Sequence, residues 1–478
     1  MRWPAPRPSF TPVFAATLGA AVGLLVASGA VGATTAPADV QVVETWSPAP
    51  NVHSDVPTHL TVIAQDDRLR LVMHRPTVVM GNGGWQPFLF CSAQGTLFCQ
   101  SQINAHPFQT KAKKVYHDRI ATVVSRDGGA TWSRWTYQEN HDDVYMEGGA
   151  GQCADGTILM FDTYLMPSAR VDHGIGELWK STDDLHSLTG PSFVDVYLPH
   201  VNWTGSSDDG GHPHHALRMH RSLLELPNRD LLATVYGWLA DDHAPCPYMP
   251  SMKKTRAMVI RSRDRGASWS YLATVAVDGA VGTEGFDEPC LIRISRGVHA
   301  GRLLCFMRTG RDLYGAHSDD DGVTWSRARA VAFPGIDIYD TARWVRFFAN
   351  PDAPGYVPSD QLLGAMVDPD LTPMRDGTLV CTVGVRTPEK LYTRDCRSPV
   401  DGDYLAFSCD GGDTWSEVVQ FLSGSPTTQY MGVREVEPGV LYVVYDDTIW
   451  KAVGRTMGFR LEVARTDQRG RGAADEPR

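Results

Sequence analysis

The sequence predicts an all-β chain folded as a six-bladed β-propeller with four-stranded antiparallel blades. Two internal repeats and the distance between their copies carry that prediction. The first repeat is an octamer, Ser-x-Asp-x-Gly-x-Thr/Ser-Trp. It occurs as Ser125-Arg-Asp127-Gly-Gly129-Ala-Thr131-Trp132, Ser262-Arg-Asp264-Arg-Gly266-Ala-Ser268-Trp269 and Ser408-Cys-Asp410-Gly-Gly412-Asp-Thr414-Trp415. A further copy, Ser318 to Trp325, has one extra residue before Asp321, or reads with Asp320 in the Asp place. Such self-similarity sets the architecture before any finer pattern does. The second repeat is an apolar strand, a tight turn and another apolar strand. Its turn positions are Gly95, Gly156, Arg229, Gly301, Gly377 and Gly439. They lie about 60 to 75 residues apart, enough for one four-stranded blade with its loops.

Each octamer reads as a hairpin turn. The Asp accepts hydrogen bonds from N–H groups of its own turn, and the Gly supplies a positive φ. The Trp that follows is a large apolar plug at the start of the next strand. Asp127, Asp264, Asp321 and Asp410 are therefore assigned structural roles. One or two carboxylates per turn are too few for calcium, and neither a metal nor a cofactor is expected. Between Asp127 and Asp264 the octamer has decayed to Ser181-Thr-Asp183-Asp-Leu-His, and the last unit has none. An N-terminal strand near residues 60–63 or 40–43 is expected to complete the last sheet and close the ring.

The chain opens with Arg2 and Arg7, an apolar run over residues 14–26 and small residues at 31–33. This is the pattern of a secretory signal peptide over residues 1–33, with an uncleaved anchor as the other reading. The propeller is expected over residues 34–465 and a disordered tail over 466–478. A net charge of −11 without a basic run argues against nucleic acid and anionic membrane as partners. Spare Trp and Tyr suit sugar stacking in a secreted, monomeric β-protein. Nine cysteines invite a disulfide reading. Cys99, Cys305 and Cys381 fall at one place in three repeats, which suits buried thiols. Cys91 with Cys99, or Cys246 with Cys396, are the candidate bridges.

The register of the second repeat points to a site. The first strand of a propeller blade lines the central channel. Counting back nine residues from each turn, and thirteen in the fourth unit with its insertion at 296–300, gives Gln86, Glu147, His220, Glu288, Asp368 and Tyr430. Six polar groups at one mouth would be costly if dry and unpaired. They make chemical sense as the floor of a solvated active site. A second column, seven residues after each turn, holds Gln102, Thr163, Tyr236, Arg308, Gly384 and Asp446. Arg311, Trp238 and Arg386 lie close by.

The octamers resemble the Asp-box, or BNR repeat, of the sialidase (neuraminidase) superfamily, whose fold is a six-bladed β-propeller. Glu288-Pro289, Gly301-Arg-Leu-Leu and Arg308 look like the sialidase blade that supplies a glutamate and a carboxylate-binding arginine. Gln429-Tyr430 and the strand up to Tyr445-Asp446 look like the blade that supplies a tyrosine nucleophile. The resemblance implies an exo-α-sialidase or related glycoside hydrolase, with Tyr430 as nucleophile and Glu288 as its base. Arg308 would bind a substrate carboxylate. A neutral phenol deprotonated in step avoids the repulsion an anionic nucleophile would meet beside that carboxylate.

Two features depart from the sialidase pattern. Trp85-Gln86-Pro87 stands where sialidases carry Arg-Ile-Pro, and Ala406 stands in the place of another arginine. Gln102 stands where they carry an acid/base aspartate. The leftover ring carboxylates, Asp368 and Glu147, are then the candidate acid and base. Arg308, Arg311, Arg386, His220, Tyr236 and Trp85 form the candidate substrate-binding set. Two further readings stay open: a propeller polysaccharide lyase using His220, Tyr236 and Arg308 on a uronate-containing glycan, and a glycan-binding propeller without catalysis. The segment from His200 to His220 holds five histidines and two aspartates, and reads as a pocket rim, a catalytic His or a metal site.

Overall fold

The computed structural model describes residues 40–43, 60–81, 84–103, 119–135, 149–205, 207–209, 212–247, 252–343, 363–387, 399–423, 427–448 and 454–466. The expected signal peptide, the tail beyond 466, Glu147 and Cys396 lie outside them. Among the described residues every regular element is a β-strand, apart from a 3-10 turn at Thr341–Arg343.

Six antiparallel runs of four strands follow one another along the chain. The first comprises Trp85–Cys91, Leu97–Ile103, Arg119–Ser125 and Ser133–Arg134. The second comprises Gly149–Gln152, Ile158–Phe161, His173–Ser181 and Thr189–Tyr197. The third comprises Leu217–Glu225, Leu231–Gly237, Arg256–Ser262 and Ser268–Ala276. The fourth comprises Asp287–Arg293, Leu303–Arg308, Tyr314–Ser318 and Arg329–Ala330. In the fifth, Ala365–Val367 and Leu371–Pro373 share one place, followed by Leu379–Arg386, Gly402–Ser408 and Glu417–Ser423. The sixth comprises Met431–Glu437, Val440–Asp446, Thr456–Arg465 and Leu69–His74.

The core lies between these runs rather than within any one of them. Phe88, Phe90 and Phe98 of the first run pack on Ile158, Met160 and Trp179 of the second. Similar clusters join the second run to the third, the third to the fourth, the fourth to the fifth and the fifth to the sixth. Val436, Tyr442 and Val444 of the sixth return to Leu89, Leu97 and Cys99 of the first. Sheets that bury both faces against their neighbours, with the last packed on the first, make a propeller-like arrangement.

Two expectations need correction. The second and third runs do not separate into isolated sheets; they are hydrogen-bonded into one nine-stranded sheet that also includes Tyr164–Pro167. Glycine explains part of this contact. A Cβ on Gly151 would lie 2.1 Å from the carbonyl oxygen of Leu223, so only glycine allows the two inner strands to touch. Ring closure also differs. The fourth strand of the last run is Leu69–His74, with Val40–Val43 added parallel at its edge. Thr61–Ala64 joins the fifth run instead.

The turns follow local chemistry closely. All six turn positions of the second repeat have positive φ, including Arg229 at 73°. In the octamers, Asp127 Oδ1 accepts from Ser125 Oγ at 2.7 Å and from Thr131 N at 2.9 Å. Asp264 and Asp410 repeat the pattern. In the copy starting at Ser318 the carboxylate in that place is Asp320, not Asp321. Asp321 sits at φ 55° in the place of Gly128 and Gly411. The copy at Ser181 has not decayed: Asp183 holds Ser181 and Ser187 in the same geometry, and Leu185 takes the glycine place at φ 62°. The eight described cysteines are free thiols. Cys91 pairs across its hairpin with Leu97, so it does not face Cys99.

Candidate active site

In five runs a residue in or beside the first strand is forced into the left-handed region. These are Gln86 at φ 54°, Arg221 at 54°, Glu288 at 43°, Asp368 at 49° and Gln429 at 61°. Three of them lie in β-bulges, where the ladder shifts between Trp85 and Phe88, Met219 and Leu223, and Asp287 and Cys290. Such strain costs roughly 1–3 kcal/mol per residue and collects where side chains must be re-aimed. In the third run the bulge brings Arg221 to the same centre as His220, at 2.7 and 3.9 Å from Asp368.

Around this ring the structure brings Tyr430, Glu288, Arg308 and Arg386 together. The Tyr430 hydroxyl donates to Glu288 Oε1. Arg308 Nη1 donates to the same carboxylate oxygen at 2.8 Å and to the Tyr430 oxygen at 3.0 Å. Glu288 Oε2 accepts from the backbone N of Asp368 at 3.2 Å. The Arg386 guanidinium carbon lies 5.6 Å from the Tyr430 ring centroid. Arg386 is itself oriented by Gln429 Oε1 at 3.1 Å and the Thr428 carbonyl at 3.0 Å. All four side chains are buried, so their charges act with little screening.

These contacts place the protons. Burial raises the Glu288 pKa, but the Arg308 charge, then His220 and the Tyr430 hydrogen bond, outweigh it and hold the carboxyl below its ordinary value. Burial, then the Glu288 charge, pushes the Tyr430 phenol well above its ordinary value. At neutral pH the pair is a neutral phenol donating to a carboxylate, the arrangement in which a base can take the proton of a nucleophile.

Other sequence candidates lie elsewhere or serve differently. Asp368 has no solvent-exposed surface; its Oδ2 accepts from Arg221 Nη2 at 2.7 Å and Met431 N at 3.0 Å. It positions Glu288 and the Tyr430 segment and is not placed to exchange protons with a substrate. Trp85 is fully buried and offers no face to a sugar. Arg311 donates to the Gly310 carbonyl at 2.9 Å and braces its own loop. His220 is buried, and burial lowers its pKa to about 3, so it is neutral. Its ring stands 6.3 Å from that of Tyr236, whose hydroxyl accepts from Arg218 at 3.0 Å. In the His-rich segment, Ser207–Asp209 and His212–His214 form a short hairpin.

The sequence reading missed Glu284 and Asp287. Glu284 grips Arg308 with both oxygens, Oε2 at 2.8 Å from Nε and Oε1 at 2.8 Å from Nη2. Asp287 is held well above the ordinary carboxyl pKa by burial and then by Glu284. The signal was visible as three acids within five residues, Glu284, Asp287 and Glu288, at the start of a strand.

No known protein family and no curated protein matches this sequence. Solved structures do resemble it. A protein of unknown function from Dyadobacter fermentans aligns over 83% of this chain and 100% of its own, with 16% identity and a TM-score of 0.55. A variant of the NanB sialidase from Streptococcus pneumoniae aligns over 86% and 72%, with 11% identity and a TM-score of 0.48. An α-L-arabinanase from Penicillium chrysogenum, complexed with arabinobiose, aligns over 82% and 98%, with 13% identity and a TM-score of 0.45. At 16% identity the first likeness is one of fold, and the other two are fainter.

Proposed function

We propose that this chain is a secreted glycoside hydrolase that releases terminal sugars from glycans, with Tyr430 as nucleophile and Glu288 as the base that activates it. One observation carries the reading: a buried tyrosine hydroxyl donates to a glutamate, and a single arginine holds both. The nine-stranded sheet counts as two blades by its two four-stranded runs, which gives a six-bladed propeller with this pair at its channel mouth.

Among terminal sugars we place sialosides and related acidic sugars first. Arg308 at the Tyr430 hydroxyl and Arg386 over its ring put two positive charges beside the nucleophile. Glu284 and Glu288 balance these charges at Arg308, so the preference for an acidic sugar rests on the resemblance of Tyr430, Glu288 and Arg308 to the sialidase pattern. Arg308 also fits the attack itself, since it stabilises the tyrosine oxygen as its proton leaves.

The test is turnover by the secreted protein on a panel of fluorogenic glycosides: a sialoside, uronate-containing glycans and neutral sugars. Wild type, Tyr430→Phe and Glu288→Gln are compared on each. Cleavage of any panel member that falls at least about 100-fold in both variants supports the mechanism. Full activity in Tyr430→Phe refutes the nucleophile. Unsaturated product absorbing near 230 nm would mean a lyase instead. N-terminal sequencing of the exported protein checks the cleavage expected near Ala33.

A further inference from the structure

A glycoside with an ordinary alcohol as leaving group needs a proton delivered to the glycosidic oxygen as the bond breaks. Glu288 cannot deliver it, because its task is to receive the tyrosine proton. Gln102 is an amide whose Nε2 donates to Gln86 Oε1 at 2.7 Å. Asp368 is enclosed, with one oxygen filled by Arg221 and the Met431 N–H. Of the three acids around Arg308, Glu284 is consumed by its two-point grip on the guanidinium. Asp287 remains.

We propose that Asp287 is the general acid that protonates the leaving group, and then the general base that activates water, in the reaction begun by Tyr430 and Glu288. The proposal rests on the glycosidase reading above. In the ladder Asp287 stands directly opposite Arg308, so both side chains leave the sheet on one face. The bulge at Glu288 and Pro289 sets two residues against Met307. It thereby lets the next side chain, Glu288, reach the same guanidinium. Two consecutive acids thus address one centre, which an unbroken strand would forbid.

Asp287 is only 8% exposed; its side chain is hydrogen-bonded to Glu284, and its Oδ1 has no hydrogen-bond partner among the described residues. An unmatched carboxyl oxygen in such a place is costly. It is relieved when a ligand group arrives. The charges that face Asp287 are Glu284, Arg308 and Glu288, and Tyr236 also senses it. Burial acts first and Glu284 second, both favouring the protonated form. Arg308 opposes them without prevailing.

The step balances. The anomeric C–O bond breaks, its electron pair stays on the leaving oxygen, and that oxygen takes the Asp287 proton. The Tyr430 oxygen bonds to the anomeric carbon while its proton passes to Glu288. A water oxygen then attacks the same carbon and yields its proton to the Asp287 carboxylate. The bond to Tyr430 breaks, and the phenol recovers its proton from Glu288. Only water is consumed.

The test is Asp287→Asn on two glycosides of the sugar that wild type cleaves, one with an alkyl and one with a dinitrophenyl leaving group. The expected kcat/KM falls at least about 100-fold on the alkyl glycoside and less than about tenfold on the dinitrophenyl one, which needs no proton. Equal losses on both overturn the proposal. Asp287→Glu keeps an acid at the site. Its alkyl-to-aryl rate ratio should exceed that of the Asn variant by at least about tenfold, and an equal ratio overturns the assignment. If Tyr430→Phe matches wild type on both substrates, the glycosidase reading itself falls, and this proposal with it.

Discussion

Arg221 offers the most direct test of how the centre of the ring is held. Its side chain is fully buried, as are those of Asp368 and Asp370. Arg221 Nη2 donates to Asp368 at 2.7 Å, and Nη1 lies 3.3 Å from Asp370 and 2.7 Å from the Met431 carbonyl. One side chain from the third run therefore ties the fifth and sixth runs together. Asp370 has a second cation, Arg434 at 2.6 Å, and Asp368 relies on Arg221 for its closest one. Replacing Arg221 by methionine keeps much of the volume and strands the Asp368 charge. Breaking a buried pair in this way costs about 3–5 kcal/mol. The measurement is equilibrium urea unfolding of wild type, Arg221→Met, Asp368→Asn and the double variant. The double variant should lose less than the sum of the single losses, by about 0.5–3 kcal/mol, because it removes both charges. A loss below about 1 kcal/mol in Arg221→Met, or strict additivity, would refute the argument that this pair braces the ring.

Two other expectations follow from particular residues. Asp320→Ala removes an acceptor for Ser318 Oγ, Thr324 N and Thr324 Oγ1, and should cost about 1–3 kcal/mol in thermal unfolding. Asp321→Gly, at a positive φ that glycine adopts freely, should change stability by less than about 1 kcal/mol; the reverse ranking would contradict the assigned register. Asp446 should make stability depend on pH. Burial raises its pKa from 3.8 to about 6, against hydrogen bonds from Thr428 and Gln86. The folded chain then binds more protons than the unfolded one, so this contribution is complete below about pH 3.8 and is lost as pH rises through about 6. The change is on the order of 3 kcal/mol. Glu417, raised to about 7 chiefly by burial, acts with the same sign over a higher window. Denaturation midpoints of Asp446→Asn between pH 4 and 8 should lose the lower part of the slope and keep the upper part. An unchanged slope would remove Asp446 from the account.

Much of this molecule was legible in the chain because its signals are local. The octamers and the six turn positions depend on hydrogen bonds and positive φ within a few residues, so spacing alone locates them. The same repeats told which strand ends share a mouth, and so brought Tyr430, Glu288 and Arg308 into one list. Register is less forgiving. Bulges at the strand starts insert a residue, and in the third run that brings Arg221 inward beside His220, both against Asp368. Spacing counted along the chain carries no mark of such an insertion.

Partners were the part that only the folded chain decided. Asp368 looked like a spare catalytic carboxylate until Arg221, 147 positions earlier, was found filling it. Trp85 looked like a sugar platform until neighbouring sheets enclosed it. The closing strand proved to be Leu69–His74, because its apolar residues pack against those of the last strand, Thr456–Arg465. The sequence by itself determined the repeating unit and its turns, and it listed Tyr430, Glu288 and Arg308 together. Which of those charges neutralise one another, and which keep a proton, depends on burial and on separations of a few ångströms between residues far apart in the chain. Those quantities exist only once the ring has closed.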